Sequence, residues 1–224
     1  PNVAAEGFRV QGKNLKHPFI DPAVCVGNPV DIDGWSRFHV ITGANMAGKS
    51  TYLRMVGVNA LLAQIGSAVM ADSMTWTPIR LMSDLRVDDS LSNNESYFLA
   101  EVRHVRRMLV PPPGDRPVLG LIDEPFRGTN SRDRVAASVA MVEQLIASDD
   151  FFIVATHEQT LTDLPDDSRA ANYHFEEQLR ADGPVFNFRL LPGPVRSRNA
   201  LLILEREGYP PAMVERARKW LDDS

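Results

Sequence analysis

One run of eight residues constrains this chain more than any other feature. Gly43-Ala44-Asn45-Met46-Ala47-Gly48-Lys49-Ser50 fits the spacing G-x-x-x-x-G-K-[ST]. An apolar run, Phe38-His39-Val40-Ile41, precedes it and reads as a buried strand. Residues 49 to about 65 follow, with Leu53, Val56, Leu61, Leu62 and Ile65 at helical spacing on one face. In that strand–loop–helix context the glycines let backbone N–H groups wrap phosphate oxygens, and the helix N-terminus favours an anion. Lys49 is placed to reach β- and γ-phosphates, and Ser50 to ligate Mg²⁺. A chance glycine-rich loop is the competing reading; the full spacing in the right context weighs against it.

A second apolar run, Val118-Leu119-Gly120-Leu121-Ile122, ends in Asp123-Glu124. Paired carboxylates at the edge of a buried strand are costly unless a cation or polar ligand meets them. Asp123 is expected to hold Mg²⁺, mostly through water, and Glu124 to polarise an attacking water as general base. An ordinary acidic turn is the alternative, and the loop upstream disfavours it. Gly120 within the strand marks close packing. The run at 151–155 leads into Thr156-His157, where His157 is placed to sense a γ-phosphate or position the water; a structural histidine is the plainer reading. Ser90-Leu91-Ser92-Asn93-Asn94-Glu95-Ser96 precedes a helix. These are ordinary N-cap residues, and the functional alternative is a helix start aimed at the phosphate of a nucleotide held by a second subunit.

The remaining segments set the architecture. The first forty residues mix Pro, Gly and Asn with short apolar runs and read as loops with short strands. Residues 66–87 suit strands and turns. A helix at 95–110, apolar at Phe98, Val102, Val105 and Leu109, is broken by Pro111-Pro112-Pro113-Gly114. Another at 132–147 carries Val135, Val139, Val142 and Ile146 in register, and 173–191 alternates around Asp182-Gly183-Pro184 as a hairpin does. Two helices at 197–207 and 211–221 close the chain. The pattern predicts an α/β fold with a central mostly parallel sheet flanked by helices, an antiparallel β portion and a C-terminal helical pair. Residues 1–196 read as one domain and 197–224 as the helical pair, part of that domain or a dimerisation element.

Among the 224 residues, 44% are hydrophobic and 24% charged, enough for a core without staples. The one cysteine, Cys25, excludes an intrachain disulfide and fits a reducing cytoplasm. A net charge of −5 argues against a generic nucleic-acid surface. Arg103, His104, Arg106 and Arg107 read as a solvated helix face rather than a DNA contact. No signal peptide and no run of the ~20 apolar residues that span a bilayer is visible. The start at Pro1 rather than Met suggests a piece of a longer protein.

In this order the pieces resemble the MutS family of ATPases, within the ABC-type P-loop class. The resemblance is carried by the run from Ile41 to Arg54, by Ser96-Tyr97-Phe98-Leu99-Ala100-Glu101, by Asp123-Glu124-Pro125-Phe126-Arg127-Gly128-Thr129-Asn130 and by Ala155-Thr156-His157. Asn14-Leu15-Lys16-His17-Pro18 and Asn28-Pro29 add to it upstream, so it covers nearly the whole chain. The resemblance implies a P-loop NTPase of ABC type that takes ATP with Mg²⁺ and hydrolyses it. It implies that Gly43, Ala44, Asn45, Met46, Ala47, Gly48, Lys49, Ser50 and Thr51 cradle the triphosphate, with Asn45 near the γ-phosphate. Ser50 and Asp123 would take the metal, Glu124 the base role and His157 the switch role. Ser96 would reach across a homodimer to the partner's ATP, so that the nucleotide sites are shared. Cys25 and Val26 would lie beside adenine, where mismatch-repair members usually place an aromatic; the base contact is then weaker and mainly apolar. DNA binding would come through domains absent from this chain.

Two departures stand out. Pro125-Phe126-Arg127-Gly128-Thr129 replaces the family's Gly-Arg-Gly-Thr-like run, and Arg198-Asn199-Ala200-Leu201 its Ser-Tyr-Gly-Ile-like run. They suggest a divergent branch outside proven mismatch repair. An ABC-type ATPase serving a membrane or another non-DNA partner is the second class. Its transporter form should show Leu-Ser-Gly-Gly-Gln where this chain has Leu-Ser-Asn-Asn-Glu-Ser. A small-molecule kinase is a third and weaker option, since no acceptor pocket or lid is identifiable.

Overall fold

The computed structural model describes residues 1–85, 97–163, 169–180, 183–195 and 200–222. In chain order its strands are β1 (Asn2–Val3), β2 (Arg9–Leu15), β3 (Asn28–Asp33), β4 (Phe38–Thr42), β5 (Ser73–Trp76), β6 (Arg80–Asp84), β7 (Val118–Asp123), β8 (Phe151–Ala155), β9 (Ala170–Arg180) and β10 (Gly183–Pro192). Its α-helices are α1 (Lys49–Gln64), α2 (Tyr97–Leu109), α3 (Ser131–Ile146), α4 (Ala200–Arg206) and α5 (Pro211–Asp222), with a 3₁₀ turn at Gln159–Thr162.

A six-stranded sheet runs in the order β10–β9–β4–β8–β7–β6. Its pairs are parallel except β9–β10, an antiparallel hairpin at one edge. Beside it lies a four-stranded, mainly antiparallel sheet in the order β1–β5–β2–β3. The mixed α/β architecture with flanking helices is the one expected. The first forty residues hold more strand than expected, because Val10, Leu15, Val30 and Ile32 supply a buried face despite the Gly and Asn between them.

Strand alternation divides the core in two. Ile41, Leu119, Leu121, Ile153 and Ala155 point into a cluster shared with α1 and the four-stranded sheet. Phe38, Val40, Ile122, Phe152 and Val154 point the other way, against α2 and α3. Helix α1 is therefore enclosed between two sheets. Leu53, Val56, Ala60 and Ala63 form its buried stripe, and the two alanines let the sheets approach. Leu61 and Ile65, expected on that face, are exposed instead. Helices α4 and α5 pack on one another, with Arg218 Nη2 2.6 Å from Glu205 Oε2. Among the described residues, no helix is long and apolar enough to cross a membrane.

Gly120 sits where two neighbouring strands press together. A Cβ at that position would lie 2.3 Å from Cδ1 of Phe152, whose ring is fully buried. Gly120→Ala should therefore destabilise the fold by about 1–3 kcal/mol, the usual range for overpacking a core. Urea denaturation checks this, and an unchanged midpoint would show that Phe152 yields freely.

Candidate functional site

Parallel pairing aligns Ile41 with Ala155, and Ala155 with Asp123. The C-terminal ends of β4, β8 and β7 thus lie side by side, the edge where open α/β sheets hold ligands. From β4 the chain turns through residues 43–48 into α1. Gly43 has φ 144°, and a Cβ there would stand 2.7 Å from the Phe175 carbonyl oxygen, so the close approach of hairpin to loop requires glycine. Gly48 occupies the N-cap of α1 with φ 113°; no side chain caps the helix and no acid stands in its first turn. The first-turn N–H groups are the donors an anion would use.

Lys49 is buried, and its Nζ donates to the carbonyls of Gly43 at 2.7 Å and Ala44 at 3.2 Å, with Glu124 Oε1 at 3.6 Å. Ser50 Oγ donates to Asp123 Oδ2 at 2.6 Å. Oδ1 of the same carboxylate is buried without a hydrogen-bond partner. A bare buried carboxylate oxygen is costly, and a hard cation is a natural complement to it. Among the described residues no group of three or more His, Cys, Asp or Glu is arranged to hold a metal. Ser50 and Asp123 fit Mg²⁺, which is bound through one or two carboxylates together with substrate phosphates and water.

Glu124 is fixed by its neighbours. Its N–H donates to Ala155 O at 2.8 Å. Its Oε2 accepts from Thr156 Oγ1 at 3.3 Å and His157 N at 3.1 Å, and lies 2.7 Å from His157 Nδ1. His157 is thus placed on Glu124 and does not line the loop cavity. Oε1 faces cations, Lys49 and the Arg127 guanidinium, the latter at 3.9 Å.

Two cavities flank the loop. One, of about 310 Å³, is lined by Ala44, Asn45, Lys49, Ser50, Asp123, Glu124 and others, bringing the loop residues and both acids together. The second, of about 290 Å³ and largely apolar, is walled by Cys25, Val26, His17, Tyr52, Phe175 and Phe188 among others. Gly48, Thr51 and Phe188 border both. Burial and the charge of Arg54 push the His17 pKa below its ordinary value, favouring a neutral ring at the cavity wall. Ser96 lies outside the described residues.

Phe188 was not singled out in the sequence, and Asn28, Arg127 and Glu101 stood there within resembling runs without a role of their own. Phe188 brings an aromatic wall to the apolar cavity from a bulge in β10 between Phe186 and Leu190, with φ 53°. The Asn28 carboxamide holds that bulge: Nδ2 donates to Phe188 O at 2.9 Å, and Oδ1 accepts from Leu190 N at 2.7 Å. Arg127 lines the loop cavity. Glu101, one turn into α2, is buried and accepts from the N–H groups of Arg127 and Gly128. Burial pushes its pKa up, opposed by the Gly128 N–H. In the sequence its signal is its place at the end of the run Ser96–Glu101 that carries the resemblance.

Residues 39–223 match the family profile described as MutS domain V. The chain is 34% identical over 227 residues to the "DNA mismatch repair protein MutS" of Natronomonas pharaonis, a match covering 99% of this chain and 26% of that protein. Proteins of the same name from two strains of Thermus thermophilus are 35% identical over 218 residues, covering 96% of this chain and 26% of theirs. The chain thus spans about a quarter of the length of these relatives.

Asn28→Ala removes both bonds that hold the bulge and leaves a carbonyl and an N–H without their partner. A loss of about 1–3 kcal/mol is expected, the cost of stranding a buried polar group. Urea denaturation measures it, and chemical shifts around Phe188 should move more than those in β7.

Proposed function

The chain belongs to the MutS family, and on that footing we propose that it is an ATP-binding and ATP-hydrolysing domain, a P-loop NTPase of ABC type. The observation that carries the reading is the cavity joining the glycine loop to Lys49, Ser50, Asp123 and Glu124 at the ends of β4 and β7. In this reading residues 43–51 hold the triphosphate through backbone N–H groups and Lys49, with Asn45 at the γ-phosphate. Lys49 exchanges its carbonyl partners for phosphate oxygens. Asp123 and Ser50 would hold Mg²⁺, which when bound neutralises charge on the phosphate oxygens. Glu124 takes the proton of the attacking water at Oε1, while Thr156 and His157 fix its orientation through Oε2. The adenine lies in the apolar cavity against Cys25, Val26 and Phe188. Phe188, which lines the same cavity, offers the aromatic surface absent at Cys25.

A second copy completes the site. Among the described residues the cavity is lined by the loop, the start of α1, the chain around Asp123–Arg127 and Phe188; in this reading the outer side of the γ-phosphate is covered by a helix start from a partner, with Ser96 as its contribution. ATP then stabilises a twofold dimer through contacts it makes in no monomer, and hydrolysis loosens the pair. Residues 1–196 act as the ATPase domain, and 197–224 as part of it or as a dimerisation element. The names of the relatives favour DNA as the output, reached through domains outside this chain, over a membrane partner.

Lys49→Ala should abolish or strongly weaken binding of ATP with Mg²⁺, since each charge-assisted bond to phosphate contributes roughly 1.5–3 kcal/mol. Isothermal titration giving equal affinities for variant and wild type would refute nucleotide binding at this loop. Glu124→Gln keeps the shape and removes the base. It should bind ATP, hydrolyse it about 10²–10⁴-fold more slowly and accumulate as a dimer in light scattering. A Glu124→Gln protein that stays monomeric with ATP at roughly tens of micromolar, the range of transient interfaces, would overturn the shared-site model.

A further inference from the structure

We propose that Glu101 on α2 is a positioning residue for hydrolysis: its carboxylate holds the chain segment that follows Glu124 and so sets where the Glu124 carboxylate points. The inference rests on the reading of Glu124 as general base.

The segment needs holding. Glu124 has φ 57° and Phe126 φ 58°, two left-handed side-chain-bearing residues within three positions. Such residues cost about 1–3 kcal/mol each and persist only where surrounding contacts over-determine them. Upstream, the contacts are those of Glu124 with Ala155, Thr156 and His157. Downstream, the turn meets Glu101: Arg127 N donates to Oε1 at 3.0 Å and Gly128 N to Oε2 at 3.4 Å. One carboxylate therefore serves two consecutive N–H groups, and it does so while only 7% exposed. Gly128 lies flat against α2, where a Cβ would come within 2.7 Å of the Phe98 Cβ. Phe126 is buried in the cluster that includes Val105 and Met108 of the same helix.

These contacts make α2 the rigid backing of the turn. Glu101 itself does not line the loop cavity, whereas Glu124 and Arg127, at either end of the turn it holds, both do. Released from Glu101, the turn can relax its left-handed residues and swing both side chains from their places. A shift of about 1 Å in a reacting group is enough to cost ~10²-fold in rate. The phosphate loop does not touch this segment through Glu101, so nucleotide binding should be nearly spared.

The test uses Glu101→Ala and Glu101→Gln in the full chain, with three readouts: amide exchange, affinity for ATP with Mg²⁺, and kcat. In Glu101→Ala, exchange at Arg127 and Gly128 should rise at least about tenfold while the amides of β7 and α3 keep their protection. ATP affinity should stay within about twofold, and kcat should fall by roughly 10- to 100-fold. Glu101→Gln retains one acceptor oxygen and should recover part of kcat. If Glu101→Ala does not fold, Glu101→Gln decides on the same readouts, with a smaller but separate loss in kcat. Faster exchange with wild-type kcat, or a loss of kcat that tracks a loss of ATP affinity, overturns the proposal. A wild-type chain that binds ATP without turning it over defeats the hydrolytic reading instead. In that case unchanged exchange at Arg127 and Gly128 on losing Glu101 overturns its grip on the turn as well, and increased exchange upholds that grip alone.

Discussion

The register of three parallel strands is the constraint on which the rest depends. Ile41, Ala155 and Asp123 stand abreast, so the loop leaving β4, the Thr156-His157 corner and the acid pair leave the sheet at one level. The hydrogen bond from Ser50 to Asp123 follows from that register, as does the grip of Thr156 and His157 on Glu124. A slip of one residue would turn every core side chain of the strand to the opposite face. The alternation of Phe152 and Val154 against Ile153 and Ala155 between two filled clusters resists such a slip. Packing on both faces of the sheet thereby maintains the geometry at its edge.

The same architecture explains why polar groups can be so concentrated here. Lys49, Asp123, Glu124 and Glu101 are all nearly buried. Each is anchored by local partners: Lys49 by loop carbonyls, Asp123 by Ser50, Glu124 by the β8 corner and Glu101 by two N–H groups. One atom breaks the pattern, Asp123 Oδ1.

Much of this was legible in the sequence because it is local. A strand, a glycine loop and a helix are contiguous, and so are an apolar strand and its terminal acids; the structure sets their ends within a residue or two of the pattern. What stayed hidden depends on contacts between distant segments. Leu61 and Ile65 fit a helical stripe, but enclosure of α1 by two sheets rotated the buried face to the small Ala60 and Ala63. Phe188 sits in an alternating strand, and no pattern in β10 alone discloses a bulge that depends on Asn28. Glu101 reads as one polar residue of an amphipathic helix until the chain after Glu124 folds onto it. His157 was expected to sense a γ-phosphate or position the water, or to be structural; its contact with Glu124 is one that motifs in chain order do not reveal.

The clamp between Asn28 and the β10 bulge joins positions 160 residues apart. Closing so long a loop carries an entropic cost that grows only slowly with its length, but the closure has to wait for both ends to exist. During synthesis the loop of β4, the acids of β7 and the corner of β8 all emerge before the strand that carries Phe188. A nascent chain stopped between β8 and β9 would own the polar half of the site and lack its aromatic wall. The order of synthesis therefore separates the two halves in time: groups suited to phosphate come first, and the apolar cavity is completed by a late strand reaching back to an early one.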